Sequence, residues 1–214
     1  ENQIILNSPK VEMGQGIFTG LAQIAAEELG ADYAQIRVVH APTASGNVDE
    51  VATGGSTSIR SLWPVLRELS AALREMLKQG AAQLWDVPVD GLVAEGGRIR
   101  SENRSMSFGE VIASLDHWEV PDNPPLRQAS DFKCIGEPLP RTDLADKVFG
   151  APIYGLDTEM PEMLYGAVAR PSHIGARFAS ANTSEAEGMP GVVKICLEPD
   201  FVGVVATSAL AAEN

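Results

Sequence analysis

The first forty residues constrain the fold most, because they set a glycine-rich turn between a strand and a helix and then return to a strand. Residues 3–7 read as strand, and Glu12-Met13-Gly14-Gln15-Gly16 as the turn. Ile17, Leu21, Ile24 and Leu29 recur at helical spacing over residues 17–29. Gly30 is a natural helix stop. Residues 35–40, Gln-Ile-Arg-Val-Val-His, carry the β-branched enrichment of a strand. Strand, turn, helix and strand in that order make a β-α-β unit. Glycines at such a turn let backbone approach a ligand closely. The helix start leaves unpaired N–H groups and a partial positive charge, which favour phosphate or another anion. Gln15 adds an amide with donors and an acceptor, suited to the edge of a heterocycle. A Gly-x-Gly alone reads more readily as a turn without a ligand.

A second segment of the same kind follows. The stretch from Thr43 to Ser58 is polar and rich in Gly, Ser and Thr, ending in Thr53-Gly-Gly-Ser-Thr-Ser58. A long helix over 58–85 comes next, with Ile59, Leu62, Trp63, Leu66, Leu69, Leu73, Met76, Leu77, Leu84 and Trp85 as its apolar set. Pro64 is expected within the first turn, which would shift the helix start by a few residues. Hydroxyls and glycines at a helix start form an anion cradle or, more simply, an N-cap with spare serines. The Gly-Lys-Ser/Thr ending of a P-loop is missing. Two glycine-rich segments about 40 residues apart, each opening a helix, are placed to converge on one ligand.

The remainder alternates short elements. Residues 91–100 read as a hairpin around Gly96-Gly97. Ser107 and Glu110 make a capping box for a short helix near 108–115. Val120-Pro-Asp-Asn-Pro-Pro-Leu126 is a linker by composition, and the domain boundary is expected between it and about residue 132. A loop region over 132–152 follows. Strands are expected at 163–169, 191–197 and 201–206, and a short helix near 183–188. The 20 glycines and 14 prolines suit this density of turns. The chain opens strand-like at Glu1-Asn-Gln-Ile-Ile-Leu and closes on Ala209-Leu-Ala-Ala-Glu-Asn as a helix begins, so both ends are expected to be cut from a longer parent.

Charge and composition exclude several functions. The formal net charge is −13, the wrong sign for phosphate backbones, so no nucleic-acid partner is expected. No apolar run approaches the roughly 20 residues of a membrane span. Cys134 and Cys196 lie among apolar neighbours and read as buried thiols; without a Cys-x-x-Cys they do not suggest a zinc or iron–sulfur site. His40 with Asp49 and Glu50 is a poor metal set, and the other histidines, His117 and His173, are far away in sequence. Ser172-His173 lacks the Gly-x-Ser-x-Gly elbow of a hydrolase.

Together these motifs resemble a known family. Glu12-Met-Gly-Gln-Gly16 with Thr19, and Thr53-Gly-Gly-Ser-Thr-Ser-Ile-Arg60, resemble the cofactor loops of the molybdopterin-binding subunit of molybdenum hydroxylases, the xanthine dehydrogenase and aldehyde oxidase enzymes. Five later stretches resemble that family's hammerhead domain: Phe132-Lys-Cys-Ile-Gly-Glu-Pro-Leu-Pro-Arg-Thr-Asp143, Asp146-Lys-Val-Phe-Gly150, Tyr154-Gly-Leu-Asp157, Met163-Leu-Tyr-Gly-Ala-Val-Ala-Arg-Pro171 and Met189-Pro-Gly-Val-Val193. Cofactor loops before hammerhead is the order found in the family's isoquinoline 1-oxidoreductase branch, in its beta chain.

The resemblance implies an α+β fold: a partial molybdopterin-binding α/β region over 1–130, then a truncated α/β hammerhead-like domain over 131–214. It implies molybdopterin as the parent's cofactor, contacted by Met13, Gly14, Gln15, Thr53, Ser56 and Ser58. It implies hydroxylation of N-heterocycles or oxidation of aldehydes with water as oxygen source. Electrons would leave through a small partner subunit carrying two 2Fe–2S clusters. The family's catalytic Glu lies in a Gly-Val-Gly-Glu segment that does not occur here, so no catalytic residue is assigned and Glu12 is read as structural. The chain alone is expected to be inactive, to hold little or no cofactor, and to self-associate through exposed faces. The residues without the resemblance leave open a non-redox binding or interaction module whose glycine segments are only turns.

Overall fold

A computed structural model describes residues 2–42, 53–151 and 154–214. The chain divides into two compact units, Glu1–Ala151 and Pro152–Asn214. The first opens with the expected β-α-β: β1 (Ile4–Ser8), α1 (Ile17–Leu29) and β2 (Ile36–His40). β1 and β2 pair in parallel, from Ile4 opposite Ile36 to Ser8 opposite His40. In β2, Ile36 and Val38 turn inward and Arg37 outward, the period-2 alternation of a half-covered strand. Gly30 ends α1 at φ 75°, and its N–H donates to the Ala26 carbonyl at 3.0 Å. A Cβ at Gly30 would lie 2.3 Å from the carbonyl oxygen of Ala94, so both conformation and space require glycine there.

α2 (Ser58–Trp85) packs along α1. Gly20 faces Ile59 and Glu28 faces Arg67, the same sequence step on both helices, so α1 and α2 run parallel. Ile17, Leu21, Ile24, Ile36, Val38 and Leu66 form the core between them and the two-stranded sheet. Pro64 corrects the sequence expectation. The helix begins at Ser58, with the Ser61 N–H donating to the Thr57 carbonyl at 2.8 Å, so the proline lies inside the helix beyond its first turn. Packing of the long apolar face outweighs the one backbone bond that Pro64 cannot make.

β3 (Val93–Glu95), β4 (Arg98–Arg100) and β5 (Ser105–Ser107) form an antiparallel meander, with Gly96 and Gly97 both at positive φ in the first turn. β5 was not expected. α3 (Phe108–Ala113) starts with the expected capping box: the Glu110 N–H donates to Ser107 Oγ at 3.2 Å, and the Ser107 N–H donates to Glu110 Oε2 at 2.7 Å. Ile99, Phe108 and Val111 close a second core against Leu29, Leu77 and Ala81.

The proline-rich stretch does not end this unit. From Pro125 to Asp143 the chain runs back along α1 as a strap, held by two adjacent carboxylates of that helix. Glu28, fully buried, accepts from Arg67 Nε at 2.6 Å, from Arg74 Nη1 at 3.3 Å and from the Arg127 N–H at 3.1 Å. Glu27 Oε2 accepts three successive N–H groups, from Lys133 at 2.8 Å, Cys134 at 2.6 Å and Ile135 at 3.1 Å. Arg74 Nη2 donates to the Pro125 carbonyl and Arg67 Nη2 to that of Arg127. Further along, Gln23 Nε2 donates to the Cys134 and Glu137 carbonyls, and Tyr33 Oη to that of Pro140. The expected boundary before residue 132 therefore moves to after Ala151, and the expected loop region holds α4 (Leu144–Val148).

The second unit contains β6 (Tyr165–Val168), α5 (Ser184–Glu187), β7 (Val192–Leu197), β8 (Val202–Ala206) and α6 (Ala209–Glu213). Its sheet is antiparallel in the order β6-β8-β7, and among its described residues only Gly203, Ala206 and Ala212 are buried.

Because Glu28 is buried among donors that would be left without an acceptor, Glu28→Ala is expected to destabilise the fold by about 3–5 kcal/mol, read from the urea midpoint. A shift under about 1 kcal/mol would contradict this account of the strap.

Candidate functional site

The β-α-β crossover puts the carboxyl ends of β1 and β2 and the amino ends of α1 and α2 at one edge of the first unit. That edge collects the positive ends of two parallel helices. In α/β structures the carboxyl ends of parallel strands are where ligands bind.

The first turn is folded around Glu12. Glu12 Oε1 accepts the N–H groups of Gly14 at 2.8 Å and Gly16 at 2.9 Å, and Oε2 that of Phe18 at 3.2 Å. Burial pushes the Glu12 carboxyl up, but the three N–H donors from Gly16, Phe18 and Gly14 together outweigh it and leave it below the usual carboxylate range. Three of the N–H groups read as available to an outside anion are thus taken by the chain's own carboxylate. Gln15 also spans its own turn: Oε1 accepts from the Met13 N–H at 2.6 Å and Nε2 donates to the Val11 carbonyl at 2.7 Å. Met13 is 67% exposed, and Gly14, at φ 102°, holds the turn open beside it.

The second segment is left more open. Ser56 has φ 54°, a left-handed conformation that a side chain other than Asn or Asp rarely adopts. Thr57 stands at the N-cap of α2 without a side-chain cap bond, its hydroxyl donating instead to the Gly54 carbonyl at 3.2 Å. Among the described residues, no protein group pairs with the hydroxyls of Ser56 and Ser58.

The two segments meet. The Val11 N–H donates to Thr53 Oγ1 at 2.8 Å across 42 residues. The next N–H, of Glu12, donates to Nε2 of His40 at 3.1 Å, and the His40 ring packs 4.9 Å from that of Phe18. His40 thus fastens the first turn to the end of β2; Asp49 and Glu50 lie outside the described residues. Among the described residues no cluster of three or more His, Cys, Asp and Glu can hold a metal ion. In the second unit, Ser172 Oγ lies 3.0 Å from His173 Nδ1, both exposed.

Arg141 was not anticipated here. Carried back by the strap, it donates from Nη1 to the Gly14 carbonyl at 3.0 Å and lies 3.7 Å from Glu12 Oε1. Nε and Nη2 bind the two oxygens of Asp143, each at 2.8 Å. The Arg141 fork, acting against burial and aided by Lys147, holds the Asp143 carboxyl well below its ordinary range. No local signal marks Arg141. The Glu12 cap was legible as an acidic side chain just ahead of a helix start.

A cavity of about 330 Å³ lies at the opposite end of α1. Four of its five charged side chains are paired, Lys133 with Glu95 and Arg127 with Glu27, and the glycine segments do not reach it. Cys134 lines it; burial, with the Glu27 carboxylate nearby, pushes its thiol up to about 11.

Residues 1–158 match the model of a molybdopterin cofactor-binding domain. A nicotinate dehydrogenase subunit of Pseudomonas putida is 32% identical over 92% of this chain and 17% of its own length. The membrane-bound aldehyde dehydrogenase (pyrroloquinoline-quinone) of Gluconacetobacter polyoxogenes is 31% identical over 96% of this chain and 27% of its own. The beta subunit of isoquinoline 1-oxidoreductase of Brevundimonas diminuta is 30% identical over 92% of this chain and 30% of its own. The chain spans less than a third of the length of each of these relatives.

Two outcomes follow from the titrations. The Glu12 carboxyl is held below its ordinary 4.5, so the cap is fully present above that pH and is lost as pH falls through the depressed value. Amide exchange at Gly14, Gly16 and Phe18, corrected for intrinsic rate, should therefore accelerate on acidification below about pH 4.5 and stay flat from there to pH 7. The Cys134 thiol stays protonated at neutral pH, so iodoacetamide should modify it at least about tenfold more slowly than a cysteine in a short peptide. Equal rates at pH 7.5 would contradict that assignment.

Proposed function

The chain belongs to the molybdopterin cofactor-binding domain family, and from that premise we propose that it forms one wall of the cofactor site in a molybdenum hydroxylase. The hydrogen bond from Val11 to Thr53 carries this reading, because it brings the turn of Met13, Gly14 and Gln15 to the segment of Thr53, Ser56 and Ser58. The residues fit an anionic heterocyclic group in an asymmetric way. At α1 the N–H groups of Gly16 and Phe18 are already taken by Glu12, which favours placing the negative part of the group with Thr53, Ser56 and Ser58. There the start of α2 supports it with the hydroxyls of Ser56 and Ser58 and the helix dipole. Met13, Gly14 and Gln15 would line the flat part of the group. Neutral donors suffice, which suits a chain of net charge −13.

When bound, the molybdenum cofactor supplies the redox centre. The residues of this chain hold and orient it, and no proton transfer is assigned to them. The parent would hydroxylate N-heterocycles or oxidise aldehydes with water and pass electrons to a small subunit with two 2Fe–2S clusters. The relatives bear names for nicotinate, aldehyde and isoquinoline activities. The second unit would belong to a hammerhead-like region. The 214-residue chain by itself would be inactive and hold little cofactor.

The test is pterin and molybdenum content of the complete parent subunit. Ser56→Ala with Ser58→Ala is expected to lower both by about tenfold while circular dichroism stays unchanged. Full occupancy in that variant would remove these serines from the site. A folded, unaltered parent with neither molybdenum nor pterin would end the reading. Turnover of isoquinoline against simple aldehydes then identifies the substrate class.

A further inference from the structure

The turn of Met13, Gly14 and Gln15 has no regular structure of its own, and two side chains fasten it from inside: Glu12 through N–H groups and Gln15 through the Val11 carbonyl and the Met13 N–H. Only one side chain reaches its carbonyl side from elsewhere among the described hydrogen bonds, and that is Arg141, 127 residues away. We infer that Arg141 is the positioning residue of this turn, fixing the backbone from Gly14 to Gly16 and so setting the face that Met13, Gly14 and Gln15 present to the cofactor. The inference rests on the proposed role of the turn.

The geometry calls for a guanidinium in particular. Two of its nitrogens are spent on Asp143 in a two-pronged bond, which orients the plane and leaves Nη1 aimed at the Gly14 carbonyl. Gly16 lies flat against it: a Cβ there would meet Nη1 at 3.5 Å and Cζ at 3.7 Å. Asp143 is steadied from its other side by Lys147, one turn along α4. The Thr142 N–H donates to Thr19 Oγ1 at 3.2 Å, tying the strap to the first turns of α1. The anchor therefore runs from α4 through Asp143 and Arg141 to the carbonyl of Gly14. A lysine at this position carries the charge but cannot hold Asp143 and Gly14 together in one fixed plane.

Amide exchange measured residue by residue on the 214-residue chain and pterin content of the complete parent subunit test this. In Arg141→Met, exchange at Gly14, Gly16 and Phe18 is expected to rise about tenfold, while Leu77 and Ala81 in α2 stay unchanged. Pterin content should fall several-fold. Arg141→Lys should restore only part of both. Unchanged exchange at the turn would overturn the inference. So would a rise matched at Leu77 and Ala81, which would mean general loosening. A loosened turn with full pterin content would also overturn it. An unaltered parent without pterin would defeat the proposed function instead, and the exchange data would still decide whether Arg141 holds the turn.

Discussion

The fold hangs on two adjacent carboxylates in the last turn of an apolar helix. Removing Glu27 and Glu28 from water costs several kcal/mol each unless donors surround them. Consecutive helix positions point about 100° apart, so the two residues face different neighbours. Glu28 meets Arg67 and Arg74 of α2 and the backbone of Arg127, while Glu27 meets three successive N–H groups of residues 133–135. The requirement that both be satisfied brings α2 and the strap onto α1 together. Arg67 is shared further, lying 5.2 Å from the centre of the Trp63 ring and 5.4 Å from that of Phe132.

The same construction recurs at the other end of α1. Glu12 accepts the N–H groups of Gly14, Gly16 and Phe18 at the amino end much as Glu27 accepts those of residues 133–135 in the strap. An acidic chain here supplies the anions for its own backbone donors. The start of α2 stays more open to an outside anion, because among the described residues no protein group pairs with the hydroxyls of Ser56 and Ser58. The parallel packing of α1 and α2 sets this open end beside the filled one, so a single ligand would meet a rigid turn on one side and unspent donors on the other.

Periodicity and punctuation made much of this legible. α1 was readable to its ends because apolar spacing stops at Gly30 and starts at Gly16, and the capping box of Ser107 and Glu110 marked α3. The glycine and hydroxyl segments drew attention to the edge where α1 and α2 begin. The strap was not legible. Its bonds join residues about a hundred positions apart, such as Glu27 with Cys134, and they go largely to backbone groups, which leave no pattern in side-chain type. Pro125 read as part of a linker and Pro140 as part of a loop, yet they offer carbonyls to Arg74 and Tyr33. The stretch Phe132–Asp143, read as the start of a separate domain, is the part that binds α1 most closely. For the same reason Arg141, Asp143 and the fastening by His40 went unseen.

The strap is also far longer than the path it covers. From Glu28 to Thr19 along α1 is about 14 Å, whereas the chain from Arg127 to Thr142 would reach about 50 Å if drawn out. Its course is therefore governed by a few fixed points, with slack between them. An extra residue placed between Glu137 and Pro140 would be absorbed as a wider loop. The same insertion between Lys133 and Ile135 would pull apart the run of N–H groups that Glu27 requires.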